Sequence, residues 1–228
     1  MTAPKARPIL FSAPMVLAIL EGRKTQTRRI VKLPTIDWDP SNTLKWEDPE
    51  CFHSLENCDD FVACFSDTAG SIICVKCPYG TPAYPVFRRP ADRLWVRETY
   101  AAPHNCDHLK PREIPEGARI HYAATEERGG LRWRPSIFMP RWASRITLEI
   151  AAVRVERLQD ISEDDARAEG CDPVVHPDGA LDCGTRKTTF ASLWSTINGP
   201  ESWDANPWVW VVEFHRSSQP TGEAMANV

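Results

Sequence analysis

Four cations, Arg23, Lys24, Arg28 and Arg29, fall within one short run of the chain. A second basic stretch carries Arg132, Arg134, Arg141 and Arg145. The formal net charge is -4, so bulk positive charge cannot hold the chain on DNA, and any nucleic-acid contact must come from a local patch of this kind. Cys74 and Cys77 form a C-x-x-C, the spacing that lets two thiolates grip one zinc ion from a tight turn. Cys51, His53, Cys58 and Cys64 lie upstream as potential further ligands, although their spacings fit no standard knuckle and no second C-x-x-C accompanies them. Cys106, with His104 and His108, is a thinner candidate that reads better as a surface loop. Glu98 follows Arg97 and the apolar run Leu94-Trp95-Val96. A carboxylate at a strand end can accept the amino group of a cytosine-like base. The alternative is a salt bridge to a nearby arginine.

Other chemistries find no support. There is no G-x-S-x-G elbow for serine–histidine–aspartate catalysis and no glycine-rich phosphate loop. The 228 residues, 42% hydrophobic and 25% charged, suit a globular chain with a genuine core. No stretch approaches the ~20 apolar residues of a membrane helix. Met1 to Pro8 lacks an apolar segment behind its basic residues, so a cytoplasmic protein is expected. In that setting the eight cysteines read as free thiols or metal ligands rather than a disulfide framework. Nine tryptophans outnumber four tyrosines. Tryptophan can stack on bases, but for any single one core packing is the better reading.

The elements that must position these residues are legible in outline. Pro8 to Ser12 reads as a strand, and Ser12 can cap a helix opening at Ala13-Pro14. Met15, Val16, Ile19 and Leu20 recur at helical spacing, Gly22 supplies the stop, and the chain passes directly into the first basic run. From about Leu33 to Pro90, prolines, acidic residues and cysteines replace hydrophobic periodicity, which predicts a loop-rich insertion (33–90). Arg119 to Ala123 reads as a strand. Between Ser144 and Leu158, Ile146, Leu148 and Ile150 alternate, and Val153 and Val155 resume after a one-residue change of phase. A bulge near Ala151-Ala152 would keep both sets on one face. Ser162 with Asp165 approximates a capping box for a helix that Gly170 ends. Thr188 to Ile197 predicts a helix burying Phe190, Leu193, Trp194 and Ile197. Pro207 to His215 predicts a strand with Trp208, Trp210, Val212 and Phe214 on one face. The tail 217–228 is expected to be disordered. The fold class expected is α+β, a small closed β-barrel with flanking helices, built as a single domain over 1–228.

These segments resemble ASCH-domain proteins of the PUA-like superfamily. Glu21 to Arg29, EGRKTQTRR, is similar to the family signature in which a helix ends in G-[RK]-K-T-x-[TE]-x-R. Ala91 to Val96 is similar to its G-D-x-L-x-V strand entry, Ser144 to Leu158 to its long central strand, and Ile161 to Gly170 to its short acidic helix. Trp208 to Phe214 is similar to its closing strand. LWVRE, MPRWASRITL and SWDANPWVWVVEF further resemble larger members often encoded by bacteriophages, which implies the host cytoplasm as location. The resemblance covers about half the chain. One subfamily, a bacterial N(4)-acetylcytidine amidohydrolase, uses a lysine and threonine three apart in G-R-K-T-x-T and a glutamate in the acidic helix. The resemblance carries these roles to Lys24, Thr27 and Glu169. Arg28, where that enzyme has an apolar residue, and the insertion are departures.

The chemistry so implied is complete on paper. Amide hydrolysis needs a nucleophile, a base to activate it and an acid for the departing amine. A desolvated lysine among cations can take a threonine proton, because burial and neighbouring charge depress its pKa. Two functions follow. The first is an amidohydrolase acting on an N(4)-acylated or otherwise modified cytidine nucleoside, with Arg23, Arg28, Arg29, Trp95 and Glu98 as substrate contacts. The second is a non-catalytic binder of single-stranded RNA or modified DNA that uses Lys24, Arg28, Arg29 and Trp95. No cofactor is required for the hydrolysis, a structural zinc at Cys74 and Cys77 is the metal to test, and no membrane partner is expected.

Overall fold

Proline at the second position of a helix costs no hydrogen bond, since the N–H it lacks has no intrahelical partner there. The first helix begins accordingly, as α1 at Ala13–Leu20, after strand β1 (Ala6–Leu10). Gly22 then takes φ +75, a conformation that a side chain would strain, and the chain turns into β2 (Gln26–Ile30). The computed structural model describes residues 6–31, 92–127, 129–173 and 184–217, and the backbone of 51–54, 61–66 and 72–76.

Those backbone segments are β3 (Cys51–Ser54), β4 (Phe61–Ser66) and β5 (Ile72–Lys76), which pair antiparallel as one sheet in that order. Three short strands thus lie within the segment 33–90, which was expected to be a loop-rich insertion. The apolar runs FVACFS and IICVK carry the aromatic and β-branched residues that favour strands, and the prolines and acids between them hide the pattern. Next come β6 (Arg93–Arg97), β7 (Tyr100–Ala101), β8 (His121–Tyr122) and β9 (Trp133–Arg134). The strand expected over Arg119–Ala123 shortens to β8, which flanks β7 opposite β9 over a small core of Tyr100, Cys106, Ile114 and Met139.

The main sheet is completed by β10 (Thr147–Arg157) and β11 (Trp208–Arg216), in the order β1-β6-β10-β11-β2. The β1–β6 pair is parallel and the other pairs are antiparallel. The register of β10 against β11 shifts between Ile150 and Ala152, so the expected bulge is present and Ile150 and Val153 enter the same core. That core holds Leu94, Val96, Leu148, Trp210, Val212 and Phe214 with Val16 and Ile19 of α1. Val209 and Val211 point to the opposite face, against α2 (Glu163–Ala168) and α3 (Arg186–Asn198) through Leu158, Ile161, Phe190 and Trp194. Strand β11 is therefore covered on both faces, which explains its unbroken apolar run.

The capping box of α2 is present. Ser162 accepts from the Asp165 N–H and the Asp165 carboxylate accepts from the Ser162 N–H. In α3, Phe190 and Trp194 are buried as expected, whereas Ile197 is 54% exposed. The architecture is α+β. Strands β1 and β2 are the two edges of the main sheet, and they approach at one point, where the Arg29 guanidinium donates to the Leu10 carbonyl at 3.0 Å. The tail from 218 onwards lies outside the described residues.

Candidate active site

The loop after α1 is clamped from three sides by main-chain hydrogen bonds. The N–H groups of Arg23 and Lys24 both donate to the Ala18 carbonyl at the end of α1. Thr25 donates to the Ala168 carbonyl at the end of α2, and its own carbonyl accepts from Phe214 on β11. Gly170 makes the approach of α2 possible. It has φ +86, and a Cβ placed there would lie 3.0 Å from the Ala18 Cβ and 3.3 Å from the Lys24 Cβ.

This clamp brings Lys24 and Glu169 into contact. The Lys24 ammonium donates to Glu169 Oε2 at 2.7 Å and to the Glu169 carbonyl at 2.8 Å, with its side chain wholly buried. Burial pushes the Lys24 pKa below its ordinary value, against the opposing pull of the Glu169 carboxylate. The other Glu169 oxygen faces Arg28 Nη1 at 3.3 Å. Arg28 is equally buried, and its Nη2 meets Glu156 at 3.0 Å and Asp165 at 3.4 Å. Arg154 ties the far side of this network to Glu156, Glu213 and Asp165. Burial alone would raise the Asp165 carboxyl, but the Ser162 hydrogen bond and the Arg28 charge hold it below its ordinary value. Beside the pair, burial first and then the Glu169 charge push the Cys171 thiol up to about 11, so it rests as an inert thiol.

A cavity of about 240 Å³ opens at the free edge of β2. Thr27, Arg28, Arg29 and Ile30 of β2 line it together with Glu169, with Met15 of α1, and with Phe190, Leu193, Trp194, Ile197 and Asn198 of α3. Lys24 is not in the lining and backs Glu169 from behind. Thr27 is buried, and its hydroxyl makes no hydrogen bond among the described residues, to Lys24 or Glu169 included. The cavity thus offers a hydroxyl, a carboxylate clasped by two cations, and an apolar wall.

The other residues singled out in the sequence lie elsewhere. Arg23 is exposed and pairs with Glu21 and Asp172. Arg29 reaches the cavity, packing over the Phe11 ring at 5.6 Å. Trp95 is buried on β6 under the Arg97 guanidinium at 4.6 Å, and β6 lies across the sheet from β2. Glu98 is buried in a two-pronged pair with Arg145, both bonds 2.9 Å, while Arg145 stacks on Tyr122. Trp95 and Glu98 therefore do not line the cavity, and Glu98 takes its salt-bridge alternative. Arg134 of the second basic stretch is buried and donates to the Cys106 and Asp107 carbonyls. Cys77 and the side chain of Cys74 lie outside the described residues, although the backbone register sets Cys74 opposite Cys64, and Cys64 opposite Cys51. Among the described residues no three metal-ligating side chains cluster.

Sequence reasoning did not find the acidic cage of Arg28 or the use of α3 as a cavity wall. The cage had a signal, since Arg154 and Glu156 alternate with Val153 and Val155 and so share the α2 side of β10. No family model matches the chain, and no curated protein or solved structure matches it significantly.

Proposed function

We propose that the chain is an ASCH-type amidohydrolase of the PUA-like superfamily that removes an acyl group from N(4) of a modified cytidine. The main sheet, whose edges approach at Arg29 and Leu10, is read as the curled barrel of that superfamily. The observation carrying the function is the buried Lys24–Glu169 contact at 2.7 Å next to a cavity lined by Thr27.

One proton is shared across that contact, so the pair has two forms of equal net charge. In the ionic form neither member does the work required. Transfer of the proton gives a neutral amine and a carboxylic acid, which are the base and the acid that amide hydrolysis needs. Burial favours that form, and Arg28 opposes it by stabilising the carboxylate. Thr27 Oγ would attack the acyl carbon as its proton passes to the Lys24 amine. Glu169 would protonate the departing amine nitrogen as the C–N bond breaks. Water would then hydrolyse the acyl-threonine, returning the hydroxyl and restoring the pair. Closing the gap between Thr27 and Lys24 is left to the bound substrate, since apo geometry in such sites is commonly looser than the reacting one.

The test is release of acetate and cytidine from N(4)-acetylcytidine, followed by mass spectrometry. Thr27→Ala should lower the rate by roughly 10³-fold or more with the thermal midpoint retained. Undiminished release from Thr27→Ala would remove the assigned nucleophile. A structural zinc held by Cys74 and Cys77 is part of the proposal, and metal content of the same preparation tests it: one equivalent per chain is expected.

A further inference from the structure

Amide hydrolysis passes through a tetrahedral intermediate whose acyl oxygen is negative, and that charge needs donors fixed in advance. Thr27, Lys24 and Glu169 supply none, since the first attacks and the other two move protons. The donors must come from elsewhere in the cavity and must be open to it. Arg28 Nε is sealed from water, and the Nη groups of Arg28 are held by Glu156, Asp165 and Glu169. Of the two cations in the lining, Arg29 has no carboxylate partner among the described residues. Its Nη2 donates to the Leu10 carbonyl at 3.0 Å, and its Nε and Nη1 are neither sealed nor partnered among those residues.

Strand β2 sets this guanidinium beside the nucleophile. Thr27 and Arg29 lie opposite Val212 and Trp210 of the main core, whereas Arg28 lies opposite Val211 on the side of α2 and α3. Thr27 and Arg29 therefore leave the strand on one face, about 6.8 Å apart. The Lys24 ammonium and the Arg29 guanidinium both approach the Phe11 ring, 5.5 and 5.6 Å from its centre, so base and cation meet around one residue. The main chain adds a second donor. Thr25 accepts from the Phe214 N–H and Val31 donates to the Trp208 carbonyl, so the odd-numbered residues of this stretch bond to β11. Antiparallel alternation turns the Arg28 N–H the other way, to the free edge where the cavity opens. No acceptor among the described residues meets it. The Arg28 side chain is 0% exposed and the whole residue 2%, so what is open there is main chain. The N–H that follows a nucleophile in sequence serves as such a donor in other hydrolases.

We infer that the Arg29 guanidinium and the Arg28 N–H form the oxyanion pocket of this site. The inference rests on the amidohydrolase reading and adds the electrophilic half of the reaction. As Thr27 Oγ bonds to the acyl carbon, the carbonyl π pair moves onto oxygen, where both donors receive it. That pair re-forms C=O as the C–N bond breaks, and the electrons of that bond pass to the nitrogen that Glu169 protonates.

Steady-state hydrolysis of N(4)-acetylcytidine by the full chain tests it, with the N(4)-methylphosphonamidate of cytidine as a tetrahedral, anionic mimic. Arg29→Ala should lower kcat about 10²–10³-fold with KM changed little. The same variant should lose affinity for the phosphonamidate by a similar factor and bind cytidine as before. In the unaltered protein, where no substitution can disturb the fold, the Arg28 amide proton should shift downfield with the phosphonamidate and stay in place with cytidine. Release by Arg29→Ala that is undiminished, or slowed through KM alone as loss of a mere binding contact would do, overturns the inference and leaves the hydrolase standing. So does an Arg28 amide that the phosphonamidate leaves unmoved. Arg29-dependent binding of the phosphonamidate with no acetate release from the unaltered protein would support the anion pocket and remove the hydrolase reading.

Discussion

Lys24 and Glu169 stabilise each other only as a couple. A buried ion pair offsets its desolvation through close contact, and removing one member leaves the other charged and uncompensated. Lys24→Met should therefore destabilise the chain by about 3 kcal/mol in denaturant unfolding. The double variant Lys24→Met, Glu169→Leu should recover a large part of that loss, and simple addition of the two single effects would argue against coupling. The rate of hydrolysis should follow the same pair. Burial lowers Lys24 below its ordinary 10.5, so activity should fall with rising pH as the pair loses its one shared proton, in a limb lying below 10.5. Asp165 sets the acid side of stability. Its folded value lies below the ordinary 3.8, so its contribution is present above 3.8 and is lost as pH falls through the lower folded value. Asp165→Asn should flatten that acid slope and cost roughly 1–2 kcal/mol through the cap and the Arg28 contact, read from unfolding at several pH values.

The junction between α2 and the loop after α1 is where elements meet most tightly. Gly170→Ala asks for a strained φ and pushes a methyl against Ala18 and Lys24. A loss of about 2 kcal/mol is expected, together with lowered activity at temperatures where the fold survives. At this scale the sequence was a good guide wherever local chemistry decides. The Ser162 and Asp165 cap, the stops at Gly22 and Gly170, and the change of phase at Ala151-Ala152 each state their purpose within a few residues. What escaped is settled by distant partners. Arg28 reads as one more surface cation until Glu156 and Asp165, from other elements, enclose it. Trp95 and Glu98 sit in an apolar-then-charged run that suits a pocket edge, yet strand order carries β6 away from β2. Ile197 fits the helical period, yet it stands in the wall of the cavity and is exposed there.

For the molecule as a whole, charge compensation is the governing feature. Arg28, Arg134 and Arg145, drawn from the two basic stretches, are engaged inside the fold and so are not available to release counterions from a polymer. Binding to a single-stranded oligonucleotide should accordingly be weak, with a slope of log affinity against log salt no steeper than about −2. A steeper slope would favour the nucleic-acid binder over the hydrolase. The strand order has a separate consequence. Arg28 in β2 finds its ladder partner at Val211, and Ala6 in β1 finds its own at Arg93, so both borders of the sheet wait for chain made much later. Closing such long loops is entropically slow. While the ribosome is still extending the polypeptide, EGRKTQTRR has no strand beside it and the cavity does not yet exist. A nascent chain arrested before Trp208 should therefore be open to protease at that stretch and bind chaperones, becoming competent only when the last strand is threaded home.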